Sequence, residues 1–290
     1  MNLIAREDGR AVDQLRPVLI QYDVLGYANA SVLFSIGNTK VLTSVSLQVG
    51  LPPFLRGQQT GWLTAEYAML PCSSQQRINR ESTQGQRNSR SVEISRLIGR
   101  CLCSVVNLDL LPDKTIIVDC DVLQADGGTR VACLTAASLA LNVAAQRWVD
   151  AGLLEHNVVK DSVAAISAGI IQDSAYLDLS YQEDSRVDAD FNFVMTKSGA
   201  LIEIQGTAEK NPIVWAQFDF LKTLASKGIS ELFSYCAGFV PPDQYNPVIL
   251  SYKNKPEITF HTQKSPSSGQ EGHIQKKKVS FNLGKRVGKF

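Results

Sequence analysis

Apolar and polar positions alternate with a period of two through most of the first fifty residues. RPVLIQYDV (16–24) and SVLFSIGNTKVLTSVSL (31–47) carry the pattern, and Gly37-Asn38 breaks the second run with a hairpin-type turn. Three antiparallel strands are predicted. The period is lost across 52–88, which is rich in Gly, Gln, Ser and Arg, except at GWLTAEYAM (61–69), which reads as a short strand. QQRINRESTQGQRNSR (75–90) is polar and reads as a mobile loop or a short helix bounded by loops. From residue 91 the period becomes helical. In SVEISRLIGRCLCSVVN (91–107), Val92, Leu97, Ile98, Leu102, Val105 and Val106 fall near one stripe.

A second cycle follows. TIIVDCDVL (115–123) reads as a strand and is followed by a helix from about Thr129 to Asp150. AAISAGIIQ (164–172) and AYLDLSY (175–181) read as a hairpin with Asp173-Ser174 at its turn. DFNFVMT (190–196) and ALIEIQGT (200–207) read as another, around Lys197-Ser198-Gly199, and 211–236 closes as helix. Strands precede helices in blocks. This predicts an α+β fold of two similar halves, with mixed sheets covered by helices.

Composition narrows the class. The chain has 290 residues, 44% hydrophobic and 20% charged, so it is long enough for a sizeable core and disorder is not its default state. No run of eighteen apolar residues occurs, so no membrane span is expected. MNLIAREDGR is charged within ten residues and has no apolar signal core, so no secretory signal is expected. None of the six cysteines form a CxxC pair, and Cys101 and Cys103 point apart on a helix. Reduced cysteines of a cytoplasmic protein are expected, in preference to a metal site or a disulfide framework.

The net charge of +1 hides an asymmetry. Residues 251–290 carry nine Lys or Arg against Glu257 and Glu271, a net +7, which leaves −6 on the remainder. A boundary is expected near residue 245, with a core over 1–245 and a basic, flexible extension over 246–290. Within the extension, VILSY (248–252) and KVSFNL (278–283) are the stretches able to form a short strand.

Three constellations carry chemistry. QADGGTR (124–130) joins a strand to a helix start. Gly127 and Gly128 allow close backbone approach, the helix start offers free N–H groups and a positive dipole end, Thr129 adds a hydroxyl, and Arg130 adds a forked cation. Together these suit a tetrahedral anion such as phosphate. The plainer reading makes Asp126 an N-cap, the glycines a turn and Arg130 a solvated charge. In EDSRVDAD (183–190), Asp184 and Asp190 stand six apart beside Glu183 and Asp188. They suit a divalent cation or a general acid, or else form an acidic loop. Arg77, Arg80, Arg87 and Arg90 suit the backbone of a flexible polyanion, or else form a solvated loop.

REDGR (6–10), GWLTAEYAMLP (61–71), RSVEISRLIGR (90–100), DCDVLQADGGTR (119–130), EDSRVDADFN (183–192) and EIQGTAE (203–209) together resemble the ribonuclease PH family, in its order and spacing, over residues 6–240. The resemblance implies a ribosomal protein S5 domain 2-like fold of two βαβα-type halves. It implies that Gly128, Thr129, Arg130 and Arg90 bind inorganic phosphate as co-substrate, and that Asp184 and Asp190 are the catalytic pair, as acid or as ligands of Mg²⁺. It implies a phosphorolytic 3′→5′ exoribonuclease that trims the 3′ ends of tRNA precursors and assembles as a homo-hexamer, a trimer of dimers. Arg77, Arg80 and Arg87 are then RNA-binding candidates. Cys72 stands where a basic residue often follows MLP in the family, which puts one RNA contact in doubt. The alternative is a non-catalytic RNA-binding ring subunit of an exosome-like complex. Such subunits lose the phosphate arginine or the aspartates, and this chain keeps them.

Overall fold

β1 (Val18–Tyr22), β2 (Ala30–Ile36) and β3 (Thr39–Val49) are the antiparallel strands that the alternating pattern predicts. Gly37, at φ 56°, makes the β2–β3 turn. The computed structural model describes residues 6–55, 57–239, 241 and 250–251. One face of the strands buries Val32, Phe34, Val41 and Val45. β4 (Trp62–Met69) is the predicted short strand, and the polar stretch after it holds the one-turn helix α1 (Glu81–Gln84). α2 (Ser89–Val105) then crosses over to β5 (Lys114–Gln124), which lies parallel to β4 and antiparallel to β3. A parallel pair requires such a crossover, and a helix is the usual means.

The buried stripe of α2 is centred on Ile94, Ile98, Cys101, Leu102 and Val105, with Ser91 and Ser95 beside them. Val92, counted with the stripe from its apolarity, is only half-buried, because Ile94 sets the phase. Cys101 is buried and Cys103 half-buried, as a spacing of two on a helix dictates, and all six cysteines are free.

α3 (Thr129–Asp150) shows no apolar stripe because most of its circumference is covered. It packs against β2, β3 and β5 of the first sheet and against β6 (Val163–Ile171) of the second. Ala136, Ala137, Ala140, Ala144 and Ala145 are fully buried, and their small side chains let both sheets approach the helix backbone.

The second half runs β6, β7 (Ser174–Leu177), α4 (Tyr181–Asp184), β8 (Ala189–Thr196), β9 (Leu201–Ala208) and α5 (Trp215–Ala237). Gln172 and Asp173, at φ 46° and 62°, form the β6–β7 turn, one residue earlier than the sequence pattern suggests. β7 ends at Leu177 and does not reach Tyr181, because Asp178 takes φ 52° and turns the chain out of the sheet. α5 begins at Trp215 instead of residue 211.

The first sheet has the order β1-β2-β3-β5-β4 and is mixed. The second, β7-β6-β8-β9, is antiparallel throughout. This is the expected α+β fold, consistent with the S5 domain 2-like class. In the second half the first helix of the βαβα order shrinks to the single turn α4. Within VILSY, β10 (Leu250–Ser251) pairs in parallel with Gln48 and Val49 at the end of β3. The expected boundary at 245–246 and the stretch KVSFNL lie outside the described residues. No helix among the described residues is long and apolar enough to cross a membrane.

Candidate active site

A cleft of about 1440 Å³ opens where the N-termini of α2 and α3 face α4, β8 and β9. Arg90, Gly128, Thr129, Arg130, Asp184 and Asp190 all line it. Six residues spread over a hundred positions therefore share one wall system. Arg77, Arg80 and Arg87 are exposed and do not line it. Their loop contributes Ser74, Gln75, Gln76 and Ile78 instead. Arg87 is held in an ion pair with Glu66 on β4, with both side chains 49% exposed.

The glycine loop is shaped by what surrounds it. Gly127 sits at φ 77°, and a Cβ there would lie 2.5 Å from the Leu179 carbonyl oxygen and 2.8 Å from the Tyr181 nitrogen. Both the dihedral and the close approach of the second half's chain demand glycine. Gly128, at φ 66°, is the N-cap of α3 and supplies no side-chain cap, so the first N–H groups of the helix keep no intrahelical or capping acceptor. Asp126 is not the cap of this helix. Its carboxylate accepts from Asn38 Nδ2 at 3.1 Å and from the Tyr181 N–H at 3.4 Å, tying the β2–β3 turn to the start of α4.

Arg130 is not a solvated charge. Its side chain is 19% exposed, its Nη1 donates to Gln205 Oε1 at 2.8 Å, and Glu93 Oε1 lies 3.5 Å away. Gln205 Nε2 in turn donates to Glu203 Oε1 at 3.1 Å, and Glu203 accepts from Arg100 at 2.8 Å. A chain of partners from α2 and β9 thus aims the guanidinium. Arg90 occupies the first turn of α2, where Asn88 accepts its backbone N–H at 3.0 Å. The Thr129 hydroxyl lies 3.1 Å from the Tyr67 hydroxyl. Burial pushes the Tyr67 phenol up, so it keeps its proton at neutral pH.

The opposite wall is acidic. Crowding by the cleft withdraws solvent from the Asp184 carboxyl and pushes its pKa up, and the charge of Asp190 adds to this. Arg90 and Arg130 pull it the other way. The two aspartates and the two arginines therefore act on one another electrically. Glu183, adjacent in sequence, serves the scaffold. Burial works to raise its pKa, but the Arg6 guanidinium, bound at 2.7 and 2.8 Å, and the Ser180 N–H outweigh burial and hold it below the usual carboxylate range. Asp188 pairs with Lys210 at 3.2 Å.

Among the described residues no group of three or more His, Cys, Asp or Glu side chains is placed to hold a metal ion. Two carboxylates in electrical contact suit a Mg²⁺ ion, which keeps several waters and commonly takes one or two carboxylates together with substrate phosphate oxygens. The donor set fits such an ion and does not form a dedicated cage.

The sequence motifs point to the arginines, the aspartates and the GTR turn. They give no role to Glu93, Gln205 or Tyr67. Glu93 stands one turn after Arg90 inside RSVEISRLIGR, and Gln205 lies at the centre of EIQGTAE. Both belong to recognisable motifs, but only the fold brings them to Arg130.

Residues 14–145 match the 3′ exoribonuclease family, domain 1, and residues 161–219 match the 3′ exoribonuclease family, domain 2. The chain is 48% identical over 229 residues to a protein of Tropheryma whipplei named ribonuclease PH, covering 79% of this chain and 93% of that one. It is 47% identical over 226 residues to a Neisseria meningitidis protein of the same name, covering 78% and 93%. Among solved structures, the Archaeoglobus fulgidus exosome with RNA bound to the active site contains a similar chain. The TM-score is 0.67 at 24% identity, over 79% of this chain and 92% of that one. Rice Rrp46 is similar at TM-score 0.65 and 19% identity, over 80% and 98%. These last two are likenesses of fold.

Proposed function

Since the chain belongs to the 3′ exoribonuclease family, alongside relatives named ribonuclease PH, we infer that it is a phosphorolytic 3′→5′ exoribonuclease. It uses inorganic phosphate to release nucleoside diphosphates from RNA, and the reaction is reversible. The observation that carries this reading is the meeting of Arg90, Arg130 and the uncapped start of α3 with Asp184 and Asp190 across one cleft.

Phosphate sits against Arg130, Arg90, the Thr129 hydroxyl and the amides at the start of α3. With Tyr67 donating to Thr129, the Thr129 hydrogen is free for a phosphate oxygen. The bound phosphate attacks the terminal phosphodiester in line. The bond to the 3′-oxygen of the preceding nucleotide breaks, and that oxygen leaves with a proton. Cations suppress the repulsion between two anions and stabilise the charge that develops, so positioning and electrostatics supply most of the acceleration. Asp190 is assigned to the leaving oxygen, with Asp184 on the same proton path. Burial and the charge of Asp190 raise the pKa of Asp184, towards the range in which a carboxyl can pass a proton. A divalent ion such as Mg²⁺, held by Asp184 and Asp190, would supply charge neutralisation there.

The finer assignments follow from the same reading. tRNA precursors are the proposed substrates and the cytoplasm the proposed compartment, a reducing one suited to six free cysteines. A homo-hexamer, a trimer of dimers, is the proposed assembly. Exposed apolar side chains such as Trp215 (82%) and Phe54 (69%) await cover in it, and Arg77, Arg80 and Arg87 of one subunit would guide RNA towards a neighbour's cleft. Phosphate-dependent release of nucleoside diphosphate from an RNA 3′ end tests the activity. Light scattering tests the ring, and a stable, fully active monomer would defeat it.

A further inference from the structure

Arg16 and Asp178 are buried side chains outside the cleft walls, yet both bear on the glycine loop. Asp178, fully buried in the second half, accepts from the Arg16 backbone N–H at 2.8 Å, from Arg16 Nε at 3.0 Å and from Arg16 Nη2 at 2.6 Å. The guanidinium continues to the first half, where Nη1 donates to the Asp126 carbonyl and Nη2 reaches the Gly127 carbonyl at 3.5 Å. Thr39, buried at the β2–β3 turn, completes the set. Its Oγ1 donates to the Gly127 carbonyl at 2.7 Å and accepts from the Asp126 N–H at 3.0 Å.

These bonds fix the loop's peptide planes. Every peptide bond described is trans, so a carbonyl and the N–H of the same peptide point in opposite directions. Drawing the carbonyls of Asp126 and Gly127 towards Arg16 and Thr39 turns the N–H groups of Gly127 and Gly128 the other way. Gly127 and Gly128 line the cleft, whereas Arg16 and Thr39 do not. Asp178 balances the charge of Arg16, so Arg16 fixes the loop without acting as an anion ligand itself.

We propose that Arg16, Thr39 and Asp178 are positioning residues that set affinity for the attacking phosphate by holding the Gly127 and Gly128 N–H groups towards it. The proposal rests on the reading of the cleft as a phosphate site. A purely structural cross-link between the halves would stabilise the fold and leave phosphate affinity alone, so the two roles separate.

Arg16→Ala is a poor probe, because it strips the buried Asp178 of its nearest cation and leaves it Arg10 at 3.5 Å. Thr39→Val replaces the hydroxyl with a methyl of similar shape, and the double variant Arg16→Gln with Asp178→Asn removes both charges together. Phosphorolysis of a short RNA is measured with phosphate varied at saturating RNA, then with RNA varied at saturating phosphate, at a temperature where melting curves show each variant folded. KM for phosphate should rise about tenfold in Thr39→Val, the scale of losing one well-placed hydrogen bond. KM for RNA should hold, and Thr39→Ser should restore the wild-type value. Variants that melt earlier but keep the wild-type KM for phosphate overturn the proposal. Wild-type and Arg130→Ala enzymes run alongside. A wild-type rate independent of phosphate removes the phosphate reading and this proposal together. A phosphate-dependent wild type, an impaired Arg130→Ala and an unchanged Thr39→Val remove this proposal alone.

Discussion

Arg130 Nη1 donates a 2.8 Å hydrogen bond to Gln205 Oε1, linking the helix after the glycine loop to the middle of β9. The neutral amide aims the guanidinium while leaving its charge for an anion. Gln205→Leu should lower kcat/KM for phosphate by about tenfold, since a hydrogen bond to a charged group contributes about 1.5–3 kcal/mol. Gln205→Glu should be worse, because a carboxylate at that place competes with phosphate for Arg130. Initial rates against phosphate concentration decide this. If Gln205→Glu binds phosphate as wild type does, Gln205 has no part in aiming Arg130.

Asp184 carries a stability cost at neutral pH. Its folded-state pKa lies above the ordinary 3.8, raised first by burial and then by Asp190. The folded protein therefore binds the proton more tightly than the unfolded chain. Stability falls as pH rises from about 3.8 through the raised value, and the cost is fully present above that value. Asp184→Asn should melt at or above the wild-type temperature at pH 7, and that advantage should disappear below pH 3.8. Turnover should fall by about 10²–10⁴ if the carboxyl moves the proton. Lower stability than wild type at pH 7 but not at pH 3.8 would contradict the assignment.

The strands, the long helices and the six cleft residues are legible in the sequence because each depends on local pattern or on a motif read as a unit. The alternation in 31–47 sets β2 and β3, and the Ala-rich run after Gly128 sets α3. What is not legible arises from contacts across long separations. Tyr181 has the pattern of a strand residue, and it opens α4 because Asp178 takes a left-handed φ in order to meet Arg16. Asp126 stands where a helix cap would, and its carboxylate instead joins Asn38 to Tyr181. Arg6 and Arg10 are recognisable within REDGR, but nothing local connects them to Glu183, about 170 positions away in the chain.

Gly127 and Gly152 separate crowding from backbone preference. Both have positive φ, 77° and 68°, but a Cβ at Gly127 meets the Leu179 and Ser180 backbone, while one at Gly152 meets nothing within 4 Å. Gly152→Ala should cost about 1 kcal/mol. Gly127→Ala should cost about 2–4 kcal/mol and should also abolish activity, because the loop must move away from the second half. Equal losses in thermal or denaturant unfolding would show that only φ matters.

The basic segment has a testable electrostatic role. Residues 251–290 carry +7 against −6 on the rest, so the core alone repels RNA at long range. Because β10 pairs with β3, a stop codon after Tyr252 removes all of that +7 and spares that strand. The truncated enzyme should turn over a short oligonucleotide normally, bind a long RNA more weakly, and show a flatter salt dependence. The log–log slope should flatten by about 0.7 for each RNA phosphate that the segment neutralises in the full chain. An unchanged affinity and slope would show that the segment does not bind RNA.

The central claim is that one cleft holds phosphate on its arginine wall and cleaves RNA at its aspartate wall. The direct measurement is nucleoside diphosphate released from a 3′-labelled RNA as phosphate is raised from zero, for wild type, Arg130→Ala and Asp190→Asn. The account predicts a saturable, phosphate-dependent release by wild type. It predicts loss of release in Arg130→Ala that added phosphate only partly recovers, and loss in Asp190→Asn with RNA binding intact. Release of nucleoside monophosphate without phosphate, or near-normal activity of Arg130→Ala at low phosphate, would contradict it.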